Sequence, residues 1–296
     1  MPVAMQIVGM RKSYKDFELK DVDLTIPEGA IVGLIGQNGA GKSTLLKCIL
    51  GMVKRDAGRV RMPCVGDPTL MDLRRVTGYI PETLIFYDWM TVGRLICFVS
   101  AFYPTWDHGY ARDLLTRYEL EPGKKVKHLS RGMRTKLALL LALSHHPPML
   151  LLDEPTAGLD PVMKHHFLQE IRRQVNTGVV KAVLISSHIL GEIEKVADRV
   201  ALLQNGVLRL EEDVSGMLRR WKKITFFAPK AAKPISQMGI HSLGDGRLMV
   251  LTETESDKVL QVLDEAGAMD IEVASPDLQE IFLQLTQLAF GEDYHA

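Results

Sequence analysis

One nonapeptide constrains this chain more than any other stretch: Gly36-Gln37-Asn38-Gly39-Ala40-Gly41-Lys42-Ser43-Thr44, set between the apolar run Ala30 to Ile35 and the helix-forming segment Leu45 to Leu50. Glycines at this spacing let the backbone turn tightly and aim successive N–H groups inward, and the helix that follows presents its positive end to the same point. The pattern G-x-x-x-x-G-K-[ST] is that of a nucleotide-phosphate cradle. In it Lys42 reaches the outer phosphates, the Ser43 hydroxyl binds Mg²⁺ and Thr44 is a further donor to phosphate. A chain with this turn is committed to a strand before it and a helix after it, and so to an α/β sheet.

The remaining chain limits what surrounds that turn. At 296 residues there is room for one sizeable α/β core and a smaller domain. Lys+Arg and Asp+Glu both number 36, which leaves no global basic field for nucleic acid, and none is expected as a partner. Cys48, Cys64 and Cys97 are too few and too scattered for a disulfide framework or a zinc site, which fits a reducing cytoplasm. No apolar run approaches the length of about 18 residues that crosses a bilayer, and the N-terminus lacks the pattern of a secretory leader. A membrane role would come through a partner chain.

Alternating stretches at 5–10 and 22–26 predict antiparallel strands flanking the phosphate-loop strand, with Pro27-Glu28-Gly29 as a turn. From Leu70 to Leu120 the reading is mainly helical: a short helix at 72–75, a strand at 77–80 stopped by Pro81, a helix capped by Thr91 and ending near Tyr103, and another from Tyr110 to Tyr118. Apolar runs at 149–152 and 181–185 predict strands covered on both faces, with helices at 161–175 and 189–196. Asn205-Gly206 between two apolar stretches predicts a hairpin. After Glu211-Glu212-Asp213 the pattern becomes that of a compact α+β appendage, with strands at 224–227, 248–251 and 271–273, helices at 257–265 and 277–288, and a loop at Ala231-Ala232-Lys233-Pro234.

Several residues then carry chemistry. Asp153-Glu154 ends an apolar strand, and in a parallel sheet ligands collect at such ends. Asp153 suits Mg²⁺, through water, and Glu154 suits the role of base for an attacking water. Ser130 and Gly132, at the start of a helix running to about Ser144, read as a second anion-seeking helix end or as an ordinary cap. His188, after strand 181–185, could touch a terminal phosphate, and Glu82, just past strand 77–80, could reach Mg²⁺ or the water. Tyr14, in the polar stretch 12–16, could stack an adenine or simply pack.

Taken in order, Tyr14, the loop 36–44, Glu82, Leu129-Ser130-Arg131-Gly132-Met133, Leu151-Leu152-Asp153-Glu154-Pro155, Gly158-Leu159-Asp160 and Ser187-His188 resemble the nucleotide-binding subunit of ATP-binding cassette (ABC) transporters over about residues 3–212. The segment 275–283 looks like the tail of the exporter-type (ABC-2-like) branch. The resemblance implies a P-loop NTPase core with a mixed sheet, an antiparallel β subdomain and a helical subdomain at about 83–147, residues 1–212 in all, followed by a small accessory α+β domain at 213–296, whose size and terminal position suit bracing of a dimer. It implies ATP and Mg²⁺ as ligands, with Gly36, Asn38, Gly39, Ala40, Gly41, Lys42, Ser43 and Thr44 as the cradle. Tyr14 would then stack adenine, Ser43, Asp153 and Glu82 serve the metal, and Glu154, His188 and Lys42 act in catalysis. Ser130 and Gly132 would be the signature that meets the ATP of another subunit, and Asp160 the D-loop acid. The implied partners are a second ATP-binding subunit and a transmembrane permease, which would hold the chain at the inner face of the cell membrane. The alternative is a soluble ABC-type switch on ribosomes or DNA, which usually carries a coiled-coil insertion or two cassettes in one chain. Two motifs depart from the family pattern: the signature usually reads Leu-Ser-Gly-Gly-Gln, where Arg131 and Met133 replace its third and fifth residues, and the residue at Glu82 is commonly Gln.

Overall fold

Six strands side by side explain how residues far apart in sequence meet. In the computed structural model, which describes residues 2–66, 68–227, 241–243, 246–253 and 256–291, the chain divides into two compact units, Met1–Glu211 and Glu212–Ala296. The first contains β1 (Val3–Ser13), β2 (Glu18–Pro27), β3 (Ile31–Ile35), α1 (Lys42–Ile49), β4 (Ala57–Arg61), α2 (Leu70–Arg75), β5 (Thr77–Ile80), α3 (Val92–Ser100), α4 (His108–Arg117), α5 (Arg131–Leu143), β6 (Met149–Asp153), α6 (Pro161–Asn176), β7 (Ala182–Ser187), α7 (Leu190–Glu194), β8 (Arg199–Gln204) and most of β9 (Val207–Asp213). The large sheet runs β5-β6-β7-β3-β8-β9, and the pairs β5·β6, β6·β7, β7·β3 and β3·β8 are all parallel. The C-terminal ends of β3, β5, β6 and β7 therefore open on one edge, which is where such a sheet gathers its ligands.

The strands β3 and β6 are buried along their whole length, because helices cover both faces, and their continuous apolar runs follow from that. The core joins these strands to α1 through Leu45, Leu46 and Ile49, and to the inner faces of β1 and β2 through Met5, Ile7, Leu24 and Ile26. β1 and β2 do not flank β3 in its sheet, contrary to expectation. They form a separate three-stranded antiparallel sheet in the order β2-β1-β4, because β4, an edge strand with one buried side chain, supplies the third member. The helix predicted from Leu45 starts three residues earlier, at Lys42, since the loop's own Gly41 takes the cap position with φ 106°. α3 ends at Ser100 rather than near Tyr103; Pro104 disfavours helical backbone at the residue before it.

The second unit holds α8 (Val214–Arg220), capped by Asp213, then β10 (Lys222–Phe227), β11 (His241–Ser242), β12 (Leu248–Thr252), α9 (Ser256–Glu265), β13 (Met269–Ala274) and α10 (Leu278–Gly291). Its antiparallel sheet runs β11-β12-β10-β13 over a small core of Ile224, Phe226, Val250, Val259 and Leu263. The loop expected at 231–234 lies outside the described residues.

Candidate functional site

The turn after β3 is held open by its own lysine. Lys42 Nζ, 6% exposed, donates to the carbonyls of Gly36 at 2.6 Å and Gln37 at 3.2 Å, and lies 3.3 Å from Glu154 Oε1. The ammonium thus threads the loop and fixes its curvature. Gly41, at φ 106°, cannot be replaced without strain, and a Cβ there would lie 2.5 Å from Phe17 Cζ. The backbone N–H groups at the start of α1 face a cavity of about 520 Å³, lined by Asp16, Phe17, Asn38, Gly39, Gly41, Lys42, Ser43, Thr44, Glu82 and Glu154 among others.

The acidic pair comes from β6, two strands away from β3. Asp153, 1% exposed, accepts hydrogen bonds from Ser43 Oγ at 3.0 Å and Ser186 Oγ at 2.8 Å, while Ser186 Oγ in turn accepts from the Glu154 N–H at 2.9 Å. One β7 hydroxyl therefore sets both acids. Glu154 sits at φ 46°, a region that costs a non-glycine residue about 1–3 kcal/mol and is found mainly at functional sites. Its Oε2 lies 2.8 Å from His188 Nδ1, just past the end of β7. Ser43 and Asp153 offer hard oxygens of the kind Mg²⁺ takes. No group of three or more His, Cys, Asp or Glu among the described residues could hold a metal ion. That fits Mg²⁺, which keeps waters and substrate phosphates in its shell and needs few protein ligands.

A second, smaller cavity of about 300 Å³ opens at the start of α5, lined by Ser130, Arg131, Gly132, Met133, Lys136, Gly158, Leu159, Asp160 and Met163. Ser130 caps α5 by accepting from Met133 N, and Asp160 caps α6 by accepting from Val162 N and Met163 N at 3.1 and 3.0 Å. The cradle, Glu82, Asp153, Glu154 and His188 thus converge, whereas Ser130, Gly132 and Asp160 stand at a different cavity in the same chain. Tyr14 is half exposed, 6.5 Å ring to ring from Phe17, and does not line the phosphate-loop cavity; Phe17 does. Sequence reasoning missed Phe17 and Ser186. The first was signalled only by an aromatic in the same polar connection, the second only by a hydroxyl at a buried strand end.

A strand–loop–helix phosphate cradle, with a strand-end acid pair beside it on a parallel sheet, defines a phosphate-loop nucleoside triphosphatase. The family described as "ABC transporter" matches residues 19–157. The ABC transporter ATP-binding protein YtrB of Bacillus subtilis (strain 168) is 35% identical over 206 residues, 70% of this chain and 70% of that protein. The linearmycin resistance ATP-binding protein LnrL of the same organism is 27% identical and covers 95% of this chain and 98% of its own. A solved ATP-binding subunit of an ABC transporter superposes with a TM-score of 0.65 at 29% identity, over 73% of this chain and 92% of that one. The chain belongs to the ABC transporter ATP-binding proteins: it is the ATP-binding and hydrolysing subunit of such a transporter, converting ATP and water to ADP and phosphate. Subunits of this kind dimerise and work with a transmembrane permease. Among the described residues no helix is long and apolar enough to cross a membrane.

Proposed function

We propose that this subunit powers an exporter, that Glu154 is the base that activates water, and that two cassettes enclose each ATP between the phosphate loop of one and the signature of the other. The observation that carries the base assignment is the placement of Glu154 beside the phosphate loop, 3.3 Å from the Lys42 ammonium and 2.8 Å from His188. The Lys42 ammonium and the His188 ring hold the two carboxylate oxygens from either side, and that fixes where the carboxylate points. Lys42 and the N–H groups at the start of α1 bind the outer phosphates, with Asn38, Gly39, Ala40 and Thr44 completing the cradle. Ser43 and Asp153 would hold Mg²⁺ with Glu82 at its edge, and the ion when bound neutralises charge on the phosphate oxygens. Tyr14 and Phe17 are the aromatic side chains placed to meet the base.

The separation of the two cavities supports the paired arrangement: Ser130, Gly132 and Asp160 lie apart from the chain's own phosphate loop and are free to complete the site of a second subunit. The γ-phosphate then favours the closed pair, and its loss releases it. The domain assignment is an ATPase unit at 1–212, with its helical subdomain at about 83–147, and an accessory domain at 213–296. The permease docks where Ile85, Tyr87, Trp89, Phe98 and Phe102 are exposed, Tyr87 against Phe98 at 5.6 Å and Phe98 against Phe102 at 5.3 Å, since apolar side chains exposed together mark interaction surfaces. That contact places the chain at the inner face of the membrane. Similarity to a resistance protein supports export as the direction.

Glu154→Gln tests the reading. Steady-state phosphate release should fall by about 10²–10⁴-fold, the usual contribution of a general base, while ATP binding persists and ATP-trapped dimers accumulate. Undiminished phosphate release would remove Glu154 from the role.

A further inference from the structure

Two of the three residues that depart from the family pattern, Glu82 and Arg131, bring charge, and both line one cavity. Glu82 lines the phosphate-loop cavity and also an adjoining cavity of about 470 Å³, whose walls include Glu154, Arg131 and Arg134. Where this family commonly has Gln, Glu82 adds a negative charge beside Asp153 and Glu154. Where it usually has Gly, Arg131 adds a positive one. We infer that Arg131 is a positioning residue that acts through Glu82, the two forming a charge couple that holds the Glu82 carboxylate away from incoming phosphate and cancels its field at the nucleotide site.

The surroundings leave Arg131 available for this. Arg134, the other cation on the cavity wall, is engaged with Asp88 at 2.5 Å. Among the described residues neither the Arg131 guanidinium nor the Glu82 carboxylate has a hydrogen bond or an ion pair. Although exposed, the Arg131 guanidinium is packed against Gly158: a Cβ there would lie 2.3 Å from Nη1 and 2.4 Å from Cζ, and φ of +66° itself favours glycine. A long cation already seated on a glycine loses less rotamer freedom on pairing than a freely waving one. Arg131 and Glu82 bring opposite charges to the wall of this one cavity, and charges nearer than the screening length of about 8 Å at physiological salt are only partly screened from each other. The Glu82 charge is felt locally: together with burial, the larger effect, and Asp153, it raises the Tyr79 hydroxyl above its ordinary pKa.

The inference rests on ATP occupying the phosphate-loop cavity, and its test separates the two. A fluorescent ATP analogue is titrated into the full chain in EDTA, so that the readout is Mg²⁺-free affinity and not turnover. Arg131→Met, which keeps the stem over Gly158 and removes the charge, is made in two backgrounds. In the wild-type background it should weaken binding about fivefold, the upper range for an exposed charge pair; in the Glu82→Gln background the same change should cost less than about twofold, because nothing remains to be neutralised. Arg131→Lys should bind within about twofold of wild type. Equal weakening in both backgrounds would show that Arg131 meets the nucleotide independently of Glu82 and would overturn the couple. Weakening by Arg131→Lys as large as by Arg131→Met would assign a shape role to the side chain and overturn it as well. Should Arg131→Met not fold, Arg131→Gly in the same two backgrounds gives the same contrast. Lys42→Ala is the control for the cavity: unchanged binding of the analogue in that variant would locate the nucleotide elsewhere, a failure distinct from equal weakening.

Discussion

Acidification from pH 7 to pH 5 should destabilise the ATPase unit by about 2 kcal/mol through a single side chain, His145. It follows α5, is 2% exposed, and stacks on Tyr103 with ring centroids 4.1 Å apart. Burial pushes its pKa from 6.5 down to about 4, against the Leu141 and Thr77 backbone, which pulls the other way; His146 adds a smaller lowering. Between these two values the unfolded chain binds a proton that the folded chain refuses. Stability therefore rises with pH across this window; the contribution is complete above 6.5 and is lost as pH falls toward 4. A separation of about 2.5 units corresponds to about 3 kcal/mol in all, of which about 2 kcal/mol is lost by pH 5. Urea unfolding at the two pH values, followed by tryptophan fluorescence, reads this directly in the wild type and in His145→Phe, which keeps a ring against Tyr103 but cannot titrate. The variant should lose about 2 kcal/mol less than the wild type between pH 7 and pH 5. An equal loss in both proteins would refute the argument and move the acid sensitivity to other groups.

Lys42→Ala should weaken ATP binding by about 10- to 100-fold, the scale of a charge-assisted hydrogen bond, since the loop loses the ammonium that bonds Gly36 and Gln37; equilibrium titration with ATP measures it, and an unaltered affinity would contradict the phosphate role. Tyr118→Phe should lower unfolding stability by about 1–2 kcal/mol with little change in helix content, because the phenol of this buried residue donates to Glu170 at 3.0 Å within a network that also holds Arg173 and Gln174; denaturant midpoints that match the wild type would show the bond to be dispensable.

Most of the order of elements was legible because the signals are local. The run Met149 to Leu152 has no polar side chain, as a strand covered on both faces should. Asn205 and Gly206, at φ 48° and 76°, take the left-handed conformations that a two-residue hairpin requires. Membership of a sheet is different, because it depends on partners distant in sequence. β1 and β2 read as neighbours of β3 until β4, whose Ala57-Gly58-Arg59-Val60-Arg61 offers almost no alternation, is seen pairing Val60 with Ile7. α8 was hidden for a related reason: Glu211-Glu212-Asp213 marks only a change of pattern in the sequence, yet the Asp213 side chain accepts from Gly216 N and starts a helix. At the candidate site, spacing within the loop marked the cradle and an acid pair after an apolar run marked Asp153-Glu154. What spacing could not convey is that Phe17 rests on Gly41, or that Arg131 lies over Gly158, since each contact joins segments that only the folded chain makes neighbours.

Ser186 gives the arrangement an additional consequence. A lone hydroxyl on β7 serves at once as donor to the Asp153 carboxylate and acceptor from the Glu154 backbone, so the next strand along anchors both residues at the end of β6. Shear between those strands would disturb both attachments at once. The register of the sheet thereby doubles as an alignment jig, and a side chain that need not touch nucleotide decides whether the tools beside it point the same way.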